Sequence, residues 1–344
     1  MSKLAIDEIA TLANVSQATV SRVLNDHPSV RPETRARVLS IIDASGYVPS
    51  AAARSLASKR THVLGLLIPG HTSALFSHAY FASIIPAIAR CASERGFLLT
   101  LSTIGDPDEE RRFYRQVLKG HQLDGVILLT PHMDEPLVPS LVRDRIPFVM
   151  FGRHAYLKNT TWVDVDNFEG ARMAVFHLIR LGRRRIATFA VSKNEAWAID
   201  RRDGYKNALI ESGLTIEPDF ILDSDNSEIS GYEGMSRLLR LPAPPDAVFT
   251  PGEESALGVI RAVRDAGLSV PHDVAVVGYD DFRTSLFGSM GLTTIRQPID
   301  AIASAAVDML IERVERPNAP PVQKVLPVEL IVRDTCGARL HGEG

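Results

Sequence analysis

The chain has 344 residues and carries 38 basic and 41 acidic side chains, which leaves a net charge of −3 at pH 7. A hydrophobic content of 45% and a mean hydropathy of +0.02 indicate a soluble globular protein of two or three folding units. No apolar run reaches the roughly 20 residues that a membrane-spanning helix needs, and from the polar start of the sequence we expect no signal peptide. The two cysteines, Cys91 and Cys336, lie far apart without metal-ligand spacing. We therefore expect a cytoplasmic protein with reduced thiols and no bound metal or cofactor.

The first 45 residues predict three short helices. An apolar stripe at helical spacing marks the first helix and consists of Ile6, Ile9, Ala10 and Ala13. After a tight connection, Ser16 is suited to cap the second helix, because its hydroxyl can accept from an unpaired backbone N–H group. Pro32 begins a third helix, whose apolar side holds Val38, Leu39, Ile41 and Ile42. Two helices joined by a short turn and braced by a third are typical of a helix-turn-helix unit.

The second predicted helix has two different faces. Val20, Val23 and Leu24 fall on its apolar face. The residues expected to contact DNA lie at its start and on the opposite face, and they are Ser16, Gln17, Ala18, Thr19, Ser21, Arg22 and Asn25. Gln can pair with adenine, Arg with guanine, and an alanine methyl can touch the thymine methyl in the major groove. An ordinary amphipathic surface helix is the alternative for this segment alone, and the flanking helices favour a reader of DNA.

The distribution of charge agrees with this interpretation. Residues 1–61 contain eight basic and five acidic side chains, a net charge of +3. The rest of the chain contains 30 basic and 36 acidic side chains, a net charge of −6. Positive charge is therefore concentrated in the N-terminal module, where contact with DNA phosphates would require it.

A short helix-forming segment follows the third helix. Pro49 ends that helix, because the residue before a proline avoids the α region. Residues 50–59 then read Ser-Ala-Ala-Ala-Arg-Ser-Leu-Ala-Ser-Lys. A helix of this length is marginal when isolated, so we expect the segment to be ordered only when it is held. A flexible linker is the alternative.

Residues Leu4 to Arg60 resemble the DNA-binding headpiece of the lactose-repressor/galactose-repressor (LacI/GalR-type) family of bacterial transcription regulators. The matching segments follow one another without gaps, and they include Ile9-Ala10, Thr19-Val20-Ser21-Arg22-Val23-Leu24-Asn25, Gly46-Tyr47-Val48-Pro49 and Ala53-Arg54-Ser55-Leu56. The resemblance implies a helix-turn-helix headpiece over residues 1–48 and a hinge helix over residues 49–61. It also implies that Tyr47, Ala53 and Leu56 contact DNA, with Leu56 wedged into a base step of the minor groove and two hinge helices paired in a dimer.

From His62 onward, apolar strand-like runs alternate with periodic helical segments. The first and last of these runs are Val63–Ile68 and Val274–Gly278, and Ile84–Glu94 is one of the helices between them. Repeated βα units predict an α/β fold with parallel sheets covered by helices. Eight or more strands favour two doubly wound lobes over one. Ligands bind beyond the carboxyl ends of the strands in such sheets, so the cleft between the lobes is the expected binding site.

The resemblance to the family extends over the rest of the chain. Matching segments include Asp124-Gly125-Val126, Val165-Asp166-Asn167, Arg201-Arg202-Asp203-Gly204-Tyr205 and Val276-Val277-Gly278-Tyr279-Asp280-Asp281. It implies a periplasmic-binding-protein-like core over residues 62–336, in which the chain crosses between the lobes three times. The expected lobes are residues 62–161 with 292–322 and residues 162–291 with 325–336, followed by a tail at 337–344. This tail lacks leucine heptads, so we expect a homodimer rather than a tetramer.

Seven residues are expected to meet a small effector molecule. Arg201 is expected to open a helix that follows a strand, and Asp280 to follow a strand directly. By family position they are the arginine and aspartate that hold sugars or similar small molecules; a structural ion pair is the alternative. Phe76, Phe81 and Trp197 are candidate stacking surfaces, with a plain core role as the alternative, and Asn226 and Gln297 match further pocket positions. The chain departs from the family at Gly252, where an asparagine is usual, so the resemblance does not identify a particular sugar.

The expected function is that of a sequence-specific repressor of carbohydrate-utilisation genes. A dimer would bind a near-palindromic operator in double-stranded DNA, and a small sugar would release it through different affinities for two conformations. A corepressor-dependent repressor, or an activator, that responds to a metabolite such as a purine is the alternative. A solute-binding protein of a transporter is a second alternative, but it would need an exported N-terminus, and this chain has the predicted helix-turn-helix there instead. We expect no enzyme, since the sequence contains no G-x-G-x-x-G after the first strand and no G-x-x-x-x-G-K-[ST].

Overall fold

A computed structural model describes residues 5–24, 27–47, 60–69, 79–129, 132–191, 194–282 and 290–338 of the chain. Contacts divide the chain into two compact units, Met1–Thr61 and His62–Gly344. Most of the predicted hinge segment, residues 49–59, lies outside the described residues, as do residues 339–344 of the predicted tail.

The described residues of the N-terminal unit form three helices, as the sequence predicts. They are α1 (Ile6–Leu12), α2 (Gln17–Leu24) and α3 (Pro32–Ser45). The backbone N–H of Thr19 donates to the Ser16 hydroxyl over 3.2 Å, which confirms Ser16 as the cap of α2. Helix α3 ends at Gly46, whose left-handed backbone (φ 62°) lets its N–H turn back to the last carbonyls of the helix.

One small apolar core joins these three helices. Its buried members are Ile9, Ala10, Ala13, Val20, Val23, Val38 and Ile42, with Ile6, Leu24 and Ile41 packed against them. The predicted inward stripes of α1 and α2 are therefore confirmed. The prediction for α3 is wrong at Leu39, which is 42% exposed. Val38 and Ile42 face the core one helical turn apart and leave Leu39 at the side of the stripe.

The described residues of the second unit form two six-stranded sheets. The strands of the first are β1 (Val63–Pro69), β2 (Leu98–Ile104), β3 (Gly125–Leu128), β4 (Phe148–Phe151), β5 (Trp162–Val165) and β11 (Gln323–Leu326). Those of the second are β6 (Ile186–Ala190), β7 (Ile221–Asp223), β8 (Ala247–Phe249), β9 (Ala275–Asp280), β10 (Thr293–Arg296) and β12 (Glu329–Ile331). Their orders are β11-β5-β4-β3-β1-β2 and β12-β10-β9-β8-β6-β7. All neighbours pair in parallel except β10 and β12, which are antiparallel.

Helices pack against both sheets. They are α4 (Ala79–Glu94), α5 (Pro107–Phe113, continued by a π-helical turn at Tyr114–Leu118), α6 (Leu137–Arg143), α7 (Asn167–Arg180), α8 (Ala196–Glu211), α9 (Glu228–Leu238), α10 (Glu253–Asp265) and α11 (Ile299–Glu315), with a 3₁₀ turn at Pro218–Phe220. Ile88 of α4 and Leu310 of α11 are fully buried in one core cluster of the first sheet. We call the first sheet with its helices lobe one and the second lobe two. The predicted α/β architecture of two doubly wound lobes is confirmed.

The chain crosses between the lobes three times, and each crossing lies one strand later than predicted. Trp162–Val165 belongs to lobe one, because it pairs with Phe148–Phe151, whereas Thr293–Arg296 pairs with β9 and belongs to lobe two. The end of the core contains two further strands, of which Gln323–Leu326 lies beside β5 in lobe one and Glu329–Ile331 lies in lobe two. The predicted boundaries at 162, 292 and 325 are therefore wrong. Each strand completes its hydrogen-bonded ladder before the chain leaves the sheet, since an unpaired buried backbone group is costly.

The predicted tail also begins inside lobe two. Cys336 and Ala338 are buried in a core cluster of this lobe. The backbone N–H of Val276 donates to the carbonyl of Thr335 over 2.8 Å, which ties the segment to strand β9. The predicted start of the tail at residue 337 is therefore wrong by at least two residues, because the packed core extends to Ala338.

Candidate functional site

Several of the residues that the sequence predicts to read DNA lie exposed on the outer face of α2. Gln17, Ala18 and Arg22 are exposed, as is the capping residue Ser16. Thr19 and Ser21 are partly buried, and the Ser16 and Thr19 hydroxyls lie 2.9 Å apart. These exposed side chains therefore belong to a helix whose opposite, buried face packs against α1 and α3.

The remaining predicted DNA contacts are divided between the headpiece and the segment that follows it. Tyr47 is half-buried and packs against the core of the N-terminal unit. Asn25, Ala53 and Leu56 lie outside the described residues. The role of all four in DNA binding stays a prediction.

A cavity of about 260 Å³ lies between the two lobes. Its described lining from lobe one consists of Tyr80, Phe81, His132, Phe151, Gly152, Asp164 and Ile302. Lobe two and the segments that cross to it contribute Asn167, Val191, Glu195, Ala196, Trp197, Arg201, Asp225, Asn226, Glu254, Asp280 and Gln297. Six of the seven predicted effector contacts thus share one cavity, and Phe76 lies outside the described residues. The cavity sits where the sequence predicts it, at the carboxyl ends of the strands.

Arg201 is the most extensively held side chain of the cavity. It is 5% exposed and lies in the second turn of α8, not at the start of the helix as predicted. Its Nε donates to Asn167 Oδ1 over 2.9 Å, and its Nη1 donates to the carbonyl of Pro251. Its guanidinium stacks on the ring of Tyr279, 3.4 Å from the centroid, and lies 4.8 Å from that of Trp197. These contacts fix the orientation of the guanidinium before any ligand arrives.

Asp280 is the charged partner of this arginine. It is the last residue of β9, although the sequence predicts it just after the strand, and it is 7% exposed. Its Oδ1 accepts from Gln297 Nε2 over 2.7 Å and lies 3.5 Å from Arg201 Nη2. Its backbone has φ 105°, a strained conformation for a residue other than glycine, and such strain is concentrated at functional sites.

The structure explains why this chain has Gly252 where the family usually has an asparagine. A Cβ atom at this position would lie 2.3 Å from Asn226 Nδ2, so the amide of Asn226 occupies the space that a side chain at 252 would need. The hydroxyl of Ser255 donates to Asn226 Oδ1 over 2.8 Å, which anchors that amide beside the cavity. The polar group absent from residue 252 is therefore supplied by residue 226.

Two further polar side chains of the cavity come from lobe one. Asp164 Oδ1 accepts from the backbone N–H of Val165 over 2.8 Å and from Asn167 Nδ2 over 2.9 Å. Burial raises the pKa of Asp164 to about 6. Burial, reinforced by the carboxylates of Asp164 and Asp280, raises the pKa of Tyr80 well above its usual range, so the Tyr80 hydroxyl remains a donor. The cavity therefore offers both donors and acceptors from this lobe.

Sequence reasoning named neither Tyr80, Asp164 nor Glu254 as an effector contact. A signal existed for Asp164, because a carboxylate within an otherwise apolar strand is unusual and strand ends line such clefts. No comparable signal marks Tyr80 or Glu254, which start helices on opposite lobes. Within the described ranges, no helix is long and apolar enough to cross a membrane, and no cluster of three or more metal-ligating side chains occurs.

Comparisons with known proteins agree with this architecture. Residues 5–50 match the family model of bacterial regulatory proteins, lacI family, and residues 175–336 match that of a periplasmic binding protein-like domain. The chain is 35% identical over 332 residues to the HTH-type transcriptional regulator CelR of Thermobifida fusca, which covers 96% of this chain and 97% of that relative.

Two solved structures are similar over almost the whole chain. The complex of the transcriptional regulator CelR with cellobiose has a TM-score of 0.75 and 33% identity, and the match covers 96% of this chain and 99% of that one. The lac repressor dimer bound to operator and the anti-inducer ONPF has a TM-score of 0.84 and 26% identity, with coverages of 97% and 99%. The chain therefore belongs to the lacI family of bacterial regulatory proteins and is a DNA-binding transcription regulator.

Proposed function

We propose that this regulator is a repressor of carbohydrate-utilisation genes, which binds a near-palindromic operator as a homodimer and leaves it when a small sugar fills the cavity. The observation that carries the proposal is the lining of one cavity by both lobes. A ligand that touches both lobes favours one arrangement of them over another. Such a difference in affinity between two conformations is what lets a ligand control DNA binding.

The DNA-binding part of the proposal rests on the exposed face of α2. Gln17 and Arg22 can form bidentate hydrogen bonds with base edges in the major groove, and Ala18 can touch a thymine methyl. A two-fold symmetric dimer presents this helix twice, so its operator has two related half-sites. The lac repressor, 26% identical, was solved as a dimer bound to operator.

The sugar-binding part rests on the chemistry of the cavity. Acceptors such as Asp280 and donors such as Arg201 suit the hydroxyls of a sugar, and the rings of Trp197 and Phe81 suit its apolar face. The described lining includes five carboxyl side chains and one guanidinium, and that guanidinium is already paired with Asp280. This balance favours an uncharged ligand over an anionic one. The relative CelR was solved with cellobiose, which makes disaccharides the first ligands to test.

The opposite response, in which the ligand strengthens operator binding, has weaker support. A corepressor such as a purine would have to strengthen DNA binding, and a flat base would leave many hydroxyl partners of this cavity unsatisfied. We further propose that the protein acts in the cytoplasm and without catalytic turnover, since the relatives that cover its whole length are transcription regulators.

The test of DNA reading is fluorescence anisotropy with DNA from the region upstream of the gene. Arg22→Ala should weaken operator binding by roughly 1–3 kcal/mol per half-site and leave binding to random DNA almost unchanged, because the lost contact reads a base. Arg37→Ala removes the same charge from an exposed position of α3 and serves as the control. An equal loss on operator and random DNA for Arg22→Ala would contradict base reading.

The test of the effector adds mono- and disaccharides and purines, one at a time, to the protein–operator complex. Release by one sugar is the expected result. Binding to operator that requires an added purine or sugar would instead establish a corepressor and overturn the proposed polarity.

A further inference from the structure

Several contacts bridge the cleft between the lobes. The backbone N–H of Ala79, at the start of α4 in lobe one, donates to Glu254 Oε1 of lobe two over 2.8 Å. The backbone N–H of Met133 donates to the carbonyl of Asn194 over 2.6 Å. An Arg153–Asp200 pair with two hydrogen bonds of 2.5 and 2.7 Å also joins the lobes, and the rings of Tyr80 and Phe282 lie 5.8 Å apart. The structure thus shows the lobes closed on one another.

Glu254 differs from the other hydrogen-bonded bridges in its position. The side chain of Glu254 bridges the two lobes and also lines the cavity. Arg153 and Asp200 bridge the lobes as well, but neither belongs to the described lining of the cavity. Glu254 is partly exposed and occupies the first turn of α10. Its carboxylate therefore reaches the first described N–H group of α4 across the cleft, and that end of a helix attracts negative charge.

Glu254 bonds to the other lobe, whereas the neighbouring carboxylate of Glu253 does not make this contact. Glu253, one residue earlier in α10, accepts from the backbone N–H of Phe282 over 2.9 Å, and both of these residues belong to lobe two. Two adjacent glutamates of α10 thus bind backbone N–H groups of different lobes. Of these two glutamates, a change at residue 254 removes a hydrogen bond from the cleft and leaves the one to Phe282 in place.

We infer that Glu254 is a positioning residue that couples filling of the cavity to closure of the lobes, by holding helix α4 over the ligand. The inference rests on the proposed function, because it assumes that the cavity takes the effector. A ligand that needs both lobes binds with an apparent affinity proportional to the closed fraction. Glu254 raises that fraction through its bond to Ala79, so it sets the sugar concentration to which the repressor responds.

Three variants test the inference in the full-length protein. Glu254→Ala removes the acceptor, and Glu254→Gln keeps an oxygen that can accept from Ala79. Glu228→Ala is the matched control, because Glu228 lies in the first turn of α9 in the same lobe and pairs with Arg261, and neither residue belongs to the described lining of the cavity. The first readout needs no ligand and is hydrogen exchange at the N-terminal amides of α4. The second is the affinity for cellobiose, measured by calorimetry.

Glu254→Ala should speed exchange at the Ala79 amide and weaken cellobiose binding roughly three- to tenfold, in line with the net contribution of one partly exposed hydrogen bond. Glu228→Ala should match the wild type in exchange, and Glu254→Gln, which keeps an acceptor but loses the charge, should lie between the wild type and Glu254→Ala. Unchanged exchange in Glu254→Ala, or unchanged cellobiose affinity despite faster exchange, would overturn the inference. A wild type that binds no sugar at all would instead refute the proposed function, and the exchange result would still decide whether Glu254 holds α4.

Discussion

The two lobes contribute different chemistry to the same cavity. Lobe one supplies mostly apolar and aromatic surface, with Asp164, His132 and the Tyr80 hydroxyl as its polar groups. Lobe two and the segments leading to it supply most of the polar groups, namely Asn167, Glu195, Arg201, Asp225, Asn226, Glu254, Asp280 and Gln297. The difference suggests a division of labour, in which lobe two orients the ligand and lobe one covers it.

The packing of the polar groups supports this division. Arg201, Asp280 and Gln297 are each less than 9% exposed and are bonded to one another or to their neighbours. A preorganised set of this kind loses little side-chain entropy when it binds. Lobe one meets it through Tyr80 and Phe81 at the start of α4, the helix that Glu254 holds. Changes in lobe two should therefore cost more affinity than changes in lobe one.

The largest effect is expected from Arg201→Ala in lobe two. The variant leaves the buried Asp280 carboxylate without its cation, so the free energy of unfolding should fall by about 3–5 kcal/mol. Sugar affinity should fall roughly 100-fold or more, because charged hydrogen bonds are lost. Denaturant unfolding and calorimetry measure the two effects. Arg261→Ala, which breaks a half-exposed pair of the same lobe, is the control and should change stability by less than about 1 kcal/mol.

A smaller effect is expected from pH, through Asp164 of lobe one. Its pKa is about 6 because of burial, so the carboxylate is ionised above pH 6 and protonated below it. A sugar hydroxyl donates to the ionised form, and sugar affinity should therefore fall as the pH drops through 6, by up to roughly tenfold between pH 7 and pH 5. The charged groups that face Asp164 are Asp200, Arg201 and Arg153.

The control for this pH dependence is Asp164→Asn, which does not titrate. Calorimetric titrations at pH 5, 6 and 7 should give a flat profile for that variant. A wild-type profile that is equally flat would show that Asp164 does not contact the sugar, and a sloping profile in Asp164→Asn would show that another group causes the pH dependence.

The smallest effect is expected from Tyr80→Phe, also in lobe one. This variant removes one hydroxyl and keeps the ring against Phe81 and Phe282. Sugar affinity should fall by about 1 kcal/mol, the value of one neutral hydrogen bond, and the thermal midpoint should stay close to that of the wild type. A loss as large as that of Arg201→Ala would contradict the division of labour between the lobes.

The headpiece could be predicted closely from the sequence because its signals are local. The helical spacing of Val20 and Val23 sets which face of α2 is buried, and this alone exposes Gln17 and Arg22. In the core, the strand-end rule and the family resemblance placed Arg201 and Asp280 at the cavity. Neither of these two predictions required knowledge of how strands that are distant in the sequence pair.

The rest of the cavity depends on contacts that are far apart in the chain. Asp164 was predicted in lobe two, but its strand pairs with Phe148–Phe151 of lobe one, and no local pattern indicates which sheet accepts a strand. Glu254 lies 175 positions from its partner Ala79. The space filled by Asn226 beside Gly252 likewise becomes visible only when the two loops are brought together.

The central claim is that sugar binding and operator binding oppose one another through the two lobes. It is tested most directly by measuring the affinity of the same sugar, beginning with cellobiose, for the free protein and for the protein bound to its operator. Thermodynamic linkage requires the sugar to bind the free protein more tightly by the factor by which it weakens operator binding, typically about 5- to 150-fold. Such a ratio is the result that we predict. Equal sugar affinities in the two states would contradict the account, because a ligand without preference cannot shift the equilibrium.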